Sequence, residues 1–356
     1  MFNEVLKEAT GILDRRFLLN AFFPCLIFWG LLGIVGVVGS GWEPLKLLQN
    51  WNQQDGILQT LEIIGLITLV VSSASVLSSH SASILRFYEG YWKFPVIQRF
   101  TQLGKTWHQA QLAKLDVPGQ MKELAQQMKQ VDAQLSTTQA LDQKRSLQGE
   151  MKSLISQERE LNQRQFSLKE LNYRNYPHPQ RSDQVMPTRL GNILKNSELY
   201  PLERYTIDAV LIWPRLYHSL PDRYIQVITE VRSSLDFSLA IATLSGLFSI
   251  MTGLWLLAVK APGWLFLLCF WGGALAAWLA YQSALGNAVA YSEQVKVCFD
   301  LYRHELVKQL RLKPATTPDL ENQQWQEIRE LFYEGKITTT WQYTDLESKP
   351  EGAQNG

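Results

Sequence analysis

The sequence predicts an all-α integral membrane protein with four transmembrane helices in two hairpins and a large helical domain inserted between them. Four apolar stretches, residues 17–38, 57–79, 235–259 and 264–285, each approach the ~20 residues that cross a hydrocarbon core of roughly 30 Å. All but two of the 34 Lys and Arg residues lie outside the short connections 39–56 and 260–263, which hold only Lys46 and Lys260. That asymmetry is the positive-inside pattern, and it places both termini and the middle region in the cytoplasm. Between the hairpins, apolar residues recur at helical spacing.

Whole-chain averages hide this organisation. Mean hydropathy is only −0.11 and net charge only +1, because a polar middle region dilutes the apolar stretches. Near-neutral charge argues against a nucleic-acid partner, which calls for a strongly basic domain. Several of the twelve Trp residues sit where interfacial anchors belong: Trp42 after the first span, Trp92 after the second, Trp264 at the start of the fourth. The three cysteines, Cys25, Cys269 and Cys298, have no CxxC or Cys/His spacing and read as small hydrophobes in packed helices.

Residues 1–16 read as a short amphipathic segment at the cytoplasmic surface. The first hairpin occupies 17–85. Its first apolar run is longer than the 7–15 residues of a signal-peptide core, so it reads as a retained span. Pro24 is placed to bend it, and Gly30, Gly33, Gly36 and Gly39 permit close helix approach. In the second span Ser75, Ser79 and Ser83 recur every four residues on one face. Such a face either packs against another helix or lines a permeation path; packing is the commoner use of small residues in membranes. Glu62 lies near the non-cytoplasmic interface and is expected to snorkel towards it. Residues 86–104 mix aromatics and cations, with Arg86, Trp92, Lys93 and Arg99 as candidate lipid-headgroup contacts or interfacial anchors.

Residues 105–172 carry the clearest soluble periodicity. Met121, Leu124, Met128, Val131 and Leu135 follow an a/d pattern, which resumes in another phase at Leu147, Met151, Leu154, Leu161 and Leu168. The interruption between them predicts an antiparallel helical hairpin, coiled-coil-like in its seam. A compact, proline-punctuated region then covers 173–220, with short helices over 188–197 and 206–216. Residues 221–312 read as two long helices containing the second transmembrane hairpin, turning at Ala261, Pro262 and Gly263. Small faces at Ser245, Ser249 and Gly253, and at Gly272, Ala276, Ala280 and Ala284, suit helix crossing there. Residues 313–346 hold a last helix, with Thr317 as cap, Pro318 in its first turn and Gly335 as terminator. The tail 347–356 reads as disordered.

No phosphate-binding loop, dinucleotide fingerprint, zinc-protease motif, hydrolase nucleophile elbow or EF-hand occurs. The five histidines lack ligand spacing, and no cofactor or metal is implied. Three short motifs stand out: Glu-Gly-Tyr-Trp at 89–92, Pro-Thr-Arg-Leu-Gly-Asn at 187–192 and Trp-Pro-Arg-Leu at 213–216. In these and in its two-hairpin layout the chain resembles a group of bacterial membrane proteins with no assigned activity, departing from it at Thr206, where glycine is expected. The resemblance implies the architecture and a bacterial inner or internal membrane, and nothing chemical.

Arg189, Asn192, Arg204, Asp208, Trp213 and Arg215 form the candidate interaction surface. Its arginines, with Asp208, Glu198 and Glu203, are expected either to staple short helices by ion pairs or to hold an anionic ligand. With no catalytic signature, the expectation is a membrane-anchored adaptor or assembly factor rather than an enzyme. The alternative is a homo-oligomeric channel or small transporter with the serine-rich second span along its path. Candidate partners are membrane lipids, a second copy of the chain and a cytoplasmic protein. Reporter fusions at residue 1, near residue 140 and at residue 356 should read cytoplasm, and one at Gln53 the opposite side. A cytoplasmic signal at Gln53 would remove the four-span topology.

Overall fold

The computed structural model describes residues 15–92, 95–336 and 343, and it is helical nearly throughout. Among the described residues, four helices are long and apolar enough to cross a membrane: Leu18–Gly39, Gly56–Ser79, Asp222–Ala258 and Gly263–Gln309. The chain is a multi-pass integral membrane protein. It divides into two compact units, one reaching to Tyr91 together with Gln226–Tyr291, the other formed by Trp92–Ile225 and the residues from Ser292 onward.

In the first unit, the first span begins with a π-helical turn, Leu18–Phe22, and continues as α1, Phe23–Gly39. Pro24 explains the change of pitch. It has no N–H for the carbonyl four residues back, and its ring crowds that carbonyl, so the turn widens. Phe23 N–H donates to Leu18 O, five residues back. A short helix missed by the sequence reading, α2 (Pro44–Asn52), fills the connection to the second span, α3 (Gly56–Ser79). It gives Glu62 a partner: the Trp51 indole donates to Glu62 Oε2 at 2.6 Å. Beyond His80, α4 covers Ser81–Glu89 and ends at Gly90 with φ +94°, a left-handed terminator that glycine adopts without strain.

Small side chains set the packing of the spans. Ala21 and Cys25 of the first span meet Val70 and Ala74 of α3, and the Trp29 indole donates to Ser73 Oγ at 3.0 Å. At the other end, Val35 joins Leu256, Leu265 and Cys269 of the second hairpin. That hairpin consists of α10 (Asp222–Ala258) and α11 (Gly263–Gln309), joined through Lys260 at φ +51°. They cross closely at Ser249, whose hydroxyl donates to Phe270 O at 2.6 Å, and at Gly253 and Gly273.

Within one chain, the spans meet only in part through the small-residue faces read from the sequence. Ser75, Ser79 and Ser83 are exposed, with Ser75 Oγ bonded to Val71 O at 2.8 Å; α3 packs instead through Val70 and Ala74. On α11 the expected face is only partly packed: Gly272 and Ala276 are exposed, Ala280 is half-buried and Ala284 is fully buried, while the close crossing falls at Gly273, one residue and about 100° round the helix from Gly272. In these spans nearly every face is apolar, so small residues alone do not mark the contact side.

In the second unit, α5 (Pro95–Leu115) leads to Asp116, which caps α6 (Val117–Thr137) by accepting from Gly119 N at 3.1 Å. α6 and α7 (Leu141–Asn175) form the expected antiparallel pair; residues 105–115, expected within it, belong to α5. Val131 and Leu154 are buried in its seam, and each such side chain contributes about 1.5–3 kcal/mol. After a 3₁₀ turn at Pro179–Gln184 come α8 (Arg189–Tyr205), α9 (Ala209–Tyr217) and finally α12 (Pro318–Glu334). α8 outruns its expected end because it continues through Pro201, which is buried and whose carbonyl accepts from Ile207 N. α12 has the cap, first-turn proline and left-handed glycine that the sequence announced.

The one-residue difference at the α10–α11 crossing is testable. A Cβ on Gly273 would lie 2.9 Å from Ser249 Cβ and 3.1 Å from its backbone, whereas Gly272 faces open space. Gly273→Leu should lower stability in detergent by about 1–3 kcal/mol through overpacking, and Gly272→Leu should leave the melting temperature within a degree or two. Equal effects would mean that Gly273 is not the crossing point.

Candidate functional site

A helix of 35 residues leaves its last carbonyls without intrahelical partners. At the end of α7 they are met by side chains from two other helices. Asn196 of α8 donates through Nδ2 to Tyr173 O at 2.8 Å and to Tyr176 O. Lys296 of α11, only 1% exposed, donates through Nζ to the same Tyr173 O at 2.7 Å. A cation at a helix C-terminus also meets the negative end of the helix dipole. Glu293 balances the ammonium at 3.0 Å, and the Tyr173 ring covers it with its centroid 3.8 Å away.

One turn further along α11, Asp300 accepts from Tyr205 Oη at 2.7 Å and from Tyr200 Oη at 3.0 Å. Burial, the Asp300 hydrogen bond and its charge push the Tyr205 phenol up to about 12. Burial first, then Asp300, drives Tyr200 higher still. Both phenols therefore stay protonated and donating at neutral pH. Arg303 lies over the Tyr205 ring at 4.0 Å and pairs through Nε with Glu321 of α12 at 2.7 Å. On the opposite side of the α7 terminus, buried His108 bonds Tyr176 Oη through Nδ1 at 2.9 Å. Burial, aided by the Arg189 charge, pushes its pKa down to about 4, so it is neutral under ordinary conditions.

Beside this latch opens a cleft of about 1130 Å³, with Tyr173, Tyr176 and Tyr200 along it and Lys122, Lys169, Arg181 and Arg204 as its cations. Asp116 and Glu203 keep it mixed in charge. Asn172 Oδ1, also lining it, is a buried acceptor without a partner. Such a surface suits a polar, hydrogen-bonding occupant. Within the latch, Lys296 pairs with Glu293, and Asp300 accepts from Tyr200 and Tyr205. Among the described residues, no group of three His, Cys, Asp or Glu is placed to hold a metal.

The motif residues do other work than expected. Asn192 is fully buried and brackets the preceding loop: Oδ1 accepts from Met186 N at 2.8 Å, and Nδ2 donates to Met186 O and Thr188 O. Thr188 caps α8. Gly104 lets α5 approach that loop, since a Cβ there would stand 2.5 Å from Pro187 O. Asp208 caps α9 and accepts from Tyr333 Oη at 3.0 Å; Trp213 lies against Phe299.

The expected arginine–carboxylate cluster does not form among the described residues. Arg189, Arg204 and Arg215 are all exposed, and Glu198 pairs with Lys195 instead. Arg215 lies over the Phe332 ring at 3.9 Å and donates to Leu211 O, while Arg204 lies over Tyr200 at 5.1 Å. An exposed guanidinium loses little by keeping water on one face and a ring on the other. Of the headgroup candidates, Arg86 and Arg99 are exposed and Trp92 is half-buried; Lys93 lies outside the described residues.

Sequence reasoning missed Lys296, Asp300 and Asn196. The available signal was a lysine between Val295 and Phe299 on an otherwise apolar face. No protein-family model, curated protein or solved structure matches the chain.

Lys296→Met should cost about 1–3 kcal/mol, because Tyr173 O and Glu293 both lose a charged donor. It should also speed hydrogen exchange at the amides of residues 172–176. Lys122→Met, at an exposed cation, should stay within about 0.5 kcal/mol. Unchanged exchange at 172–176 in the Lys296 variant would remove the capping role.

Proposed function

We propose that the chain is a membrane-anchored interaction protein whose second unit offers the α6–α7 arm and the adjoining cleft to a protein partner. The observation behind this reading is the arm itself. α7 runs about 50 Å, is latched at its C-terminal end, and closes its apolar seam on α6. Its outer surface is polar but carries Phe166 at 82% exposure and Leu141 at 68%. Isolated large apolar side chains on a stiff polar scaffold are the anchors that partners bury.

The second reading, a homo-oligomeric channel or transporter, draws on the exposure of Ser75, Ser79 and Ser83. Among the described residues of one chain nothing covers that stripe; a pore would require further copies to enclose it.

A photo-crosslinking residue at 166 or 141 should capture a heterologous protein in intact membranes, and one at Leu124 in the seam should not. With the crosslinker at 141, Phe166→Glu should abolish the adduct without changing the melting temperature by more than a degree or two. Absence of adducts from 166 and 141, together with flux through reconstituted protein that is blocked by modifying Ser79→Cys, would replace the adaptor with the channel.

A further inference from the structure

We propose that a notch of about 310 Å³ in the first unit, at the end of the spans that carries Arg16, binds the phosphate headgroup of an anionic phospholipid. Three helical segments form it: the start of the first span, the junction of α3 and α4, and α10 between Thr229 and Ala240. Among the described residues that line the notch are two guanidinium groups, Arg16 and Arg232, and one carboxylate, Asp236. Asp236 holds Arg232 by its Nε, at 3.1 and 3.2 Å, and the Tyr291 ring lies 5.5 Å from the guanidinium carbon. A cation fixed by a carboxylate and a ring is oriented before any ligand arrives, which lowers the cost of binding.

The backbone is irregular where the notch forms. The π-helical turn Leu18–Phe22 supplies Asn20 and Ala21, and α3 breaks at His80 just before Ser81. π turns are rare and concentrate at functional sites. Here the turn directs the Asn20 amide across to α10, where Nδ2 donates to Ser233 Oγ at 2.7 Å and to Ser233 O at 3.3 Å. Ser78, Ser81 and Thr229 add hydroxyls to the same wall. Hydroxyls beside two guanidinium groups make a phosphate-oxygen environment.

The remaining wall distinguishes a lipid from a soluble anion. Phe17, Leu77 and Leu239 line the notch alongside the polar groups. A free phosphate gains nothing from that surface, whereas a phospholipid carries a glycerol and the start of its acyl chains into it. Basic pockets between membrane helices are the usual seats of anionic headgroups, and this volume lies at the small end of ligand sites.

The test is native mass spectrometry of the purified full chain in detergent, titrated with phosphatidylglycerol or phosphatidylcholine. Parallel arms add glycerol 3-phosphate or inorganic phosphate as competitors. The wild type should retain one phosphatidylglycerol with at least about tenfold preference over phosphatidylcholine. Arg16→Gln and the notch-filling Ser81→Phe should each lose that preference, and Lys46→Gln, in the other connection, should keep it. Circular dichroism and a monodisperse elution profile establish that each variant is folded; Arg16→Gln leaves the Arg232–Asp236 pair intact if Ser81→Phe fails this check. Undiminished phosphatidylglycerol retention in a folded Arg16→Gln variant overturns the proposal, as does equal retention of phosphatidylcholine. Displacement by glycerol 3-phosphate or inorganic phosphate at the lipid's own concentration also overturns it, and assigns the notch to a soluble phosphate.

Discussion

The second unit depends on how the orphan carbonyls at the end of α7 are satisfied. A long helix ending inside a folded unit must find donors for them, because a buried carbonyl without one costs about as much as a lost hydrogen bond. Lys296 and Asn196 supply those donors from two different helices, so one polar junction joins α7, α8 and α11. A buried ammonium is tolerable there because a carboxylate, a carbonyl and a ring share its desolvation cost. Leu190 of α8 and Phe299 of α11 are fully buried in the same unit.

The first unit solves a different problem. Its helices are apolar on nearly all sides, so burial supplies little preference for one face over another. Shape decides instead. Ala21 against Ala74, Gly39 beneath Leu256 and Gly273 beneath Ser249 are places where a missing side chain lets two backbones approach. Among the described residues, hydrogen bonds that cross between spans involve small or amphipathic groups, among them Ser249 to a carbonyl, Trp29 to Ser73, Asn20 to Ser233 and Asn287 to Ser238. The large exposed side chains of α3, Ile57, Leu58, Leu61 and Ile64 among them, form a surface that hydrocarbon covers without penalty.

This contrast explains what could be read from the chain. The spans were legible because length and hydropathy suffice, and the α6–α7 seam because its period is specific. α12 was legible because Thr317, Pro318 and Gly335 mark its ends by local chemistry. The side on which each span packs was not, since Gly272 and Gly273 are adjacent and chemically identical. α2 escaped because nine residues give too short a pattern. The latch escaped for another reason: Lys296 and Asp300 acquire their roles only when Tyr173, Tyr200 and Tyr205 are brought to them from elsewhere. The arginines of the short motifs invited ion pairs, but guanidinium groups also accept rings, and two of the three lie against one.

Thr206 closes α8 at φ +57°, a backbone conformation that a β-branched residue adopts only under strain. Its hydroxyl donates to Asn322 O of α12 at 3.0 Å. Nearby, Asp208 meets Tyr333, and Arg215 meets Phe332, both again from the C-terminal part of the chain. The strained bend between α8 and α9 is thus held by a segment more than a hundred residues later in the chain. During synthesis on a ribosome that segment emerges after both transmembrane hairpins have been made. The corner is completed by residues that follow both hairpins in the sequence, and its contacts to α12 form only after that part of the chain has been made.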